Sequence, residues 1–137
     1  MAASPDDRFG AIAAAYDFSG AAVIADIGGG NGALLRAILA RHAEPRGVLH
    51  DRGDVLESVA ESDRLSGRIT LQIGDFFEGV PPGADTYLLS WILHDWDDDA
   101  CLRILRNCQA AMRPGTRLLV IERVVESDPD QIDGVHH

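Results

Sequence analysis

The feature that most constrains the fold is a repeated alternation of short apolar runs with segments of helical periodicity. The apolar runs predict strands at residues 22–27, 47–50, 69–73, 86–93 and 117–125. Apolar strands that alternate with helices are typical of a parallel sheet covered by helices on both faces. A length of 137 residues suits one compact domain. The sequence therefore predicts a single Rossmann-like α/β domain.

Three helices are predicted between these strands. The first has four large apolar residues on one face, namely Leu34, Leu35, Ile38 and Leu39. A later helix repeats apolar residues from Cys101 to Met112 and stops before Pro114. We expect Asp97 or Asp98 to cap this helix, and Asp54 to cap a short helix after the second strand.

Polar side chains lie at or near the predicted ends of the strands. They are Asp26, Asp51, Asp75, His94 and Glu122. Parallel strands bring their carboxyl ends to one edge of the sheet, and such folds bind ligands there, near the point where the strand order reverses. Each residue alone is better explained as a helix cap or a loop residue. Together they predict a binding site at that edge.

The glycine-rich segment ADIGGGNGALL, residues 25–35, joins the first strand to the first helix. Glycines here allow a tight turn and let backbone N–H groups approach a ligand closely. In one interpretation, Gly28, Gly30 and Ala33 form the dinucleotide fingerprint G-x-G-x-x-A, with Asp51 at a suitable distance for a ribose. That interpretation predicts a nicotinamide-dependent oxidoreductase.

A second interpretation of the same segment is D-x-G-x-G-x-G, formed by Asp26, Gly28, Gly30 and Gly32. This spacing resembles the first motif of class I methyltransferases, which bind S-adenosyl-L-methionine (SAM). SAM has a ribose but no pyrophosphate, and it carries an ammonium and a sulfonium group. An acidic loop and an acidic sheet edge suit such a cationic ligand.

Net charge and hydropathy exclude other classes of partner. The net charge is −10, so the surface repels phosphate backbones and does not favour nucleic-acid binding. No apolar stretch reaches the roughly 18 residues of a membrane span. The N-terminal residues MAASPDDRFG lack the apolar region of a signal peptide. We therefore expect a cytoplasmic protein that binds a small molecule.

Two longer segments, YDFSGAAVIADIGGGNG and IGDFFEGVPPGADTYLLSWILHDWDDDACLRILRNCQAAMRPGTRLLVIE, resemble the plant and bacterial O-methyltransferase family. That family includes caffeic acid, flavonoid and hydroxyneurosporene methyltransferases. The most specific part is His-Asp-Trp-x-Asp followed by the Ile-Leu-x-Asn-Cys helix. The resemblance spans about residues 16–125. It implies a class I methyltransferase fold, SAM as the cofactor, and methyl transfer to a hydroxyl of a small aromatic or polyketide-like molecule.

The resemblance implies a cofactor-binding role for the residues that match the family. These are Asp26, Gly28, Gly30, Asp51, Asp75, Phe76 and Ser90. Asp51 would hold the ribose hydroxyls, while Asp75 and Phe76 would contact the adenine by hydrogen bonding and by packing. Two positions depart from the family. Ser90 replaces a frequent lysine, and Asp51-Arg52-Gly53 replaces Asp-Leu-Pro.

The resemblance also implies that His94 is the general base and that Glu122 orients it. A phenol has a pKa near 10 and is mostly protonated at neutral pH, whereas an imidazole with a pKa near 6.5 can accept its proton. A carboxylate on the other ring nitrogen would fix the tautomer. No metal is required by this chemistry.

The acidic run after His94 does not fit a metal site. Asp95, Asp97 and Asp99 only superficially resemble a calcium loop, because Ala100 and Arg106 stand where glycine and glutamate belong. For the two tryptophans of this region, two interpretations stay open. Trp91 and Trp96 are core aromatics, or Trp96 walls a cofactor or substrate pocket.

The resemblance finally predicts what residues 1–137 contain. Family members are homodimers with an N-terminal dimerisation domain and a seven-strand sheet. We expect this chain to hold one SAM-binding domain, without that dimerisation domain and truncated after the fifth strand. The alternative function is therefore an inactive cofactor-binding or dimerising fragment of such an enzyme.

Overall fold

The computed structural model describes residues 7–122. The α-helices are α1 (Asp7–Ala15), α2 (Ala33–Arg41), α3 (Gly53–Leu56) and α4 (Asp98–Ala111). The strands are β1 (Val23–Ile27), β2 (Arg46–Asp51), β3 (Ile69–Ile73), β4 (Thr86–Ser90) and β5 (Arg117–Ile121). Two short 3₁₀ turns cover Glu61–Arg64 and Leu93–Asp95.

The five strands form one parallel sheet in the order β3-β2-β1-β4-β5. The central strand β1 pairs with β2 on one side and with β4 on the other. The strand order therefore reverses between β1 and β4, and ligands of such sheets bind outside the carboxyl ends at that point. The predicted parallel α/β architecture is confirmed.

The apolar core lies on both faces of the sheet. On one face α2 buries Leu34, Leu35, Ile38 and Leu39, the four residues that the helical period predicts. On the other face α4 buries Ile104 and Cys108 against Tyr87 and Leu89 of β4. In the described part of the chain, no helix combines the length and apolar character needed to cross a membrane.

The structure corrects several predicted boundaries. The predicted fourth strand, residues 86–93, is too long, since Trp91 has a left-handed backbone with φ of 55° and turns the chain after Ser90. The predicted fifth strand, 117–125, stops at Ile121, and residues 123–125 lie outside the described residues.

The structure also shows which helices and helix caps the sequence predicted correctly. Helix α1 is absent from the sequence prediction, because its alanine-rich sequence has only two large apolar residues, Phe9 and Ile12. Asp54 lies within the first turn of α3 and does not cap it, since Arg52 takes the N-cap position. The prediction for α4 is confirmed, because the side chain of Asp97 accepts from the Ala100 N–H at 2.8 Å.

Candidate active site

The loop after β1 has a backbone that favours glycine. Gly28, Gly30 and Gly32 have φ angles of 68°, 62° and 83°. The Gly28 N–H donates to the His50 carbonyl at 2.7 Å, and the Gly30 N–H donates to Asp51 Oδ2 at 2.9 Å. The end of β2 therefore holds the loop that follows β1.

Gly29 is required for a different reason, namely lack of space. A Cβ atom at Gly29 would lie 2.5 Å from Leu49 Cδ1 and 2.7 Å from Asp26 Cγ. The loop thus packs directly over the Asp26 carboxyl group.

Asp26 is an unusual carboxyl group because it is 1% exposed and has no hydrogen-bond partner for either oxygen among the described residues. Burial, with a smaller contribution from the negative charge of Asp51, raises the pKa of Asp26 to about 7. A buried charge without a partner costs free energy. We therefore expect Asp26 to interact with a ligand or to exchange a proton, and not to stabilise the core.

The described residues form two cavities at this edge, and the larger, with a volume of about 310 Å³, opens between the ends of β2 and β3. Its lining residues are Asp51, Arg52, Val55, Gly74, Asp75, Phe76, Phe77 and Trp96. Asp51 ends β2, and the Gly74 N–H donates to its carbonyl at 3.0 Å. Three aromatic rings form one wall, since Trp96 lies edge-on to Phe77 and Phe76 at centroid distances of 4.6 Å and 6.3 Å.

A second cavity of about 180 Å³ lies on the other side of the glycine loop. Gly28 and Gly30 line it together with Ser90, Phe9 and Trp91. Ser90 therefore lies beside the loop but outside the larger cavity. The Trp91 ring packs edge-on against Phe9 at a centroid distance of 5.9 Å.

His94 lies in the 3₁₀ turn after β4 and contacts two carboxylates. Its Nδ1 is 3.0 Å from Glu122 Oε1, and its Nε2 is 3.2 Å from Asp95 Oδ1. The second oxygen of Glu122 accepts from the Leu93 N–H at 3.3 Å. The His94 side chain is 54% exposed, whereas that of Glu122 is 23% exposed. The half-buried Glu122 carboxylate thus holds Nδ1 of this imidazole, while Nε2 faces the exposed carboxylate of Asp95.

Comparison with known proteins identifies the family. A family profile described as "O-methyltransferase domain" matches residues 9–135. The chain belongs to the O-methyltransferase family. The chain is 52% identical over 120 residues to a 3-amino-4-hydroxybenzoate 4-O-methyltransferase of Streptomyces cremeus, a match covering 85% of this chain and 33% of the relative.

Further relatives show the range of the family. An aclacinomycin 10-hydroxylase of Streptomyces purpurascens is 42% identical over 136 residues, a match that covers 93% of this chain and 35% of the relative. The solved structure of a methyltransferase in calicheamicin biosynthesis, in its SAH-bound form, superimposes with a TM-score of 0.83 at 37% identity. The match covers 91% of this chain and 38% of the chain in that structure. The chain thus spans about a third of the length of the curated relatives that it matches.

The structure brings the residues predicted from the sequence to one edge of the sheet, although not into one cavity. Asp51, Asp75 and Phe76 line the larger cavity, while Gly28, Gly30 and Ser90 line the smaller one. Asp26 lies beneath the loop between them, and His94 and Glu122 form the separate contact described above. Their individual roles stay predictions.

Sequence reasoning missed several residues of the site. Arg52 and Phe77 line the larger cavity, and Asp95 contacts the ring of His94. Each is the immediate neighbour of a residue that was predicted, which is the signal that could have found it. Trp96 is 44% exposed and lines the larger cavity, so it is not a core residue; that the cavity holds a cofactor or substrate stays a prediction.

Proposed function

We propose that this protein is a SAM-dependent O-methyltransferase that methylates a hydroxyl group of a small aromatic or polyketide-like molecule. The observation that carries the proposal is the 3.0 Å contact between His94 Nδ1 and Glu122 Oε1, at the same sheet edge as the glycine loop. A fold of this type hosts many activities, so the function is argued from these groups and not from the fold alone.

The residues at this edge fit a cationic adenosine derivative. The buried Asp26 carboxyl group lies under the glycine loop and has no partner among the described residues, so a positive charge nearby would compensate it. Asp51 uses one lone pair on each oxygen for the N–H groups of Gly30 and Arg52, at 2.9 Å and 2.7 Å. A carboxylate has about four acceptor sites, so Asp51 can also accept from both ribose hydroxyls.

The larger cavity suits an adenine ring. Phe76 and Trp96 provide an aromatic wall on which a flat base can stack, and base–aromatic stacking contributes strongly to binding. Asp75 Oδ1 accepts from the Phe77 N–H at 2.8 Å, and Oδ2 is then the oxygen that accepts from an adenine amino group. We assign Asp26, Gly28, Gly30, Asp51, Asp75, Phe76 and Ser90 to the cofactor.

When bound, SAM supplies an activated methyl group on a sulfonium. His94 would accept the proton of the acceptor hydroxyl at Nε2, where the hydroxyl would take the place of the exposed Asp95 carboxylate that contacts this nitrogen at 3.2 Å. Glu122 accepts from Nδ1–H, which fixes the tautomer with its lone pair on Nε2. The carboxylate of Glu122 then contacts the Nδ1–H group of the imidazolium that forms. General-base action of this kind contributes typically about 10²–10⁴-fold to the rate.

One relative carries the name of a hydroxylase, so membership of the family alone does not fix the reaction. The held imidazole favours proton removal from a hydroxyl, which O-methylation requires. We further propose a cytoplasmic location and, by resemblance to the family, a homodimeric protein.

Isothermal titration calorimetry tests the proposal with SAM, S-adenosylhomocysteine (SAH) and NAD, followed by a methyl-transfer assay on a panel of phenols. We expect binding of SAM and SAH, and methylation of at least one phenol. Binding of NAD alone would contradict the proposal. Binding of SAM and SAH without turnover on any phenol would favour the inactive-fragment alternative.

A further inference from the structure

Helix α4 holds the loop that follows β3 by two side-chain hydrogen bonds to its backbone. Asn107 Nδ2 donates to the Phe76 carbonyl at 2.8 Å, and Arg103 Nε donates to the Phe77 carbonyl at 2.7 Å. These donors lie one helical turn apart on α4, so they meet two successive carbonyl groups. The backbone of the loop is thereby anchored to α4.

The same loop carries the groups that we assign to adenine recognition. Phe76 and Asp75 line the 310 Å³ cavity, and the ring of Phe76 reaches the glycine loop. A Cβ atom at Gly28 would lie 3.1 Å from Phe76 Cε2. A shift of the Phe76 backbone would therefore move both the aromatic wall of the cavity and its contact with the glycine loop.

The asparagine at position 107 does not favour the helix in which it lies. Asparagine is a weak helix former because its side chain competes for backbone hydrogen bonds, and Asn107 lies inside the 14-residue helix α4. Its amide donates across to residue 76, 31 positions away in sequence, in a partly buried contact. The side chain thus serves the loop and not α4.

We propose that Asn107 is a positioning residue that sets the adenine-recognition loop through the Phe76 carbonyl, with Arg103 as a second anchor. This inference rests on the proposed function, because it assumes that SAM or SAH occupies the larger cavity. Asn107 itself acts through the loop and would contact neither ligand. It determines how well the cavity discriminates adenine from other bases.

The test compares Asn107→Leu with Gln109→Leu, an amide-to-leucine change at an exposed position of the same helix. Calorimetry measures the dissociation constants of SAH and of S-inosylhomocysteine, in which a carbonyl replaces the adenine amino group. Loss of one hydrogen bond that fixes the loop is expected to weaken SAH binding about 3- to 10-fold. S-inosylhomocysteine should lose less affinity, because it lacks the amino group that the loop recognises.

The preference of Asn107→Leu for SAH over S-inosylhomocysteine should therefore fall at least about 3-fold, while Gln109→Leu keeps the wild-type preference. A merely structural role would weaken both ligands equally and leave this ratio unchanged. Arg103→Met, with the exposed Arg106→Met as its control, provides a second variant should Asn107→Leu not fold.

Two failures are distinguishable. Wild-type protein that does not bind SAH overturns the proposed function, and the positioning role falls with it. Wild-type protein that binds SAH, together with variants whose ligand preference is unchanged, overturns only the role of Asn107 and Arg103.

Discussion

Replacement of Asp26 by asparagine should stabilise the folded protein in a pH-dependent manner. Burial raises the pKa of Asp26 from 3.8 to about 7, so the folded state prefers the protonated carboxyl group. A raised pKa of an acid contributes a destabilisation that is absent below pH 3.8, grows as the pH rises to about 7, and is constant above that. The amide of the Asp26→Asn variant cannot ionise and escapes this cost.

The magnitude follows from these two pKa values. Each pH unit between them costs the folded state about 1.4 kcal/mol relative to the unfolded chain, or about 4 kcal/mol in total. We therefore expect Asp26→Asn to gain about 2 kcal/mol in free energy of unfolding at pH 5 and about 4 kcal/mol at pH 8, relative to wild type.

Urea denaturation at pH 5, 6, 7 and 8 measures this difference. The matched control is Asp54→Asn, since the Asp54 side chain is 71% exposed and should give a small difference at every pH. A stability gain for Asp26→Asn that is the same at pH 5 and pH 8 would refute the reasoning. The same variant should bind SAH more weakly if Asp26 compensates a cationic ligand, which would make the lower stability of the wild type a consequence of function.

Three further predictions concern the site. Glu122→Gln should lower methyl transfer by about 10²–10⁴-fold with little change in SAH affinity, measured by turnover and calorimetry, because the amide no longer fixes the His94 tautomer; equal losses in both quantities would argue against this role. Gly29→Ala should cost about 1–3 kcal/mol in urea denaturation through overpacking, whereas Gly20→Ala, which has nothing within 4 Å, should not; similar values for both would contradict the packing argument. Trp96→Ala should weaken SAH binding by about 1–3 kcal/mol through lost stacking. Leu102→Ala, a change at another exposed apolar residue, should leave the affinity intact, and an unchanged affinity of Trp96→Ala would exclude the stacked wall.

Much of the fold could be predicted because the spacing of apolar residues in helices and the length of apolar runs in strands depend on local sequence. The buried stripe of α2 and the strand β3 match the pattern directly. The end of β4 could not be predicted, since Trp91 continues the apolar run and only its left-handed backbone ends the strand. Apolar character reports burial, and the residues after β4 are still packed against the core.

The site was predictable at the level of the sheet edge and not at the level of contacts. The carboxyl ends of parallel strands lie at the same edge of a sheet, so topology alone could place Asp51 and Asp75 together. The contact of Asp95 with His94 and the hydrogen bond from Asn107 to Phe76 depend on how a turn and a helix pack in three dimensions. No periodicity in the sequence encodes those distances.

The central claim is that His94 removes the proton of the acceptor hydroxyl and has no part in holding the cofactor. The most direct measurement is methyl-transfer turnover of His94→Gln together with its SAH affinity by calorimetry. We expect turnover to fall by about 10²–10⁴-fold while the SAH dissociation constant stays within a few-fold of wild type. Unchanged turnover, or a collapse of SAH affinity that accompanies the loss of turnover, would contradict the account and make His94 a structural residue.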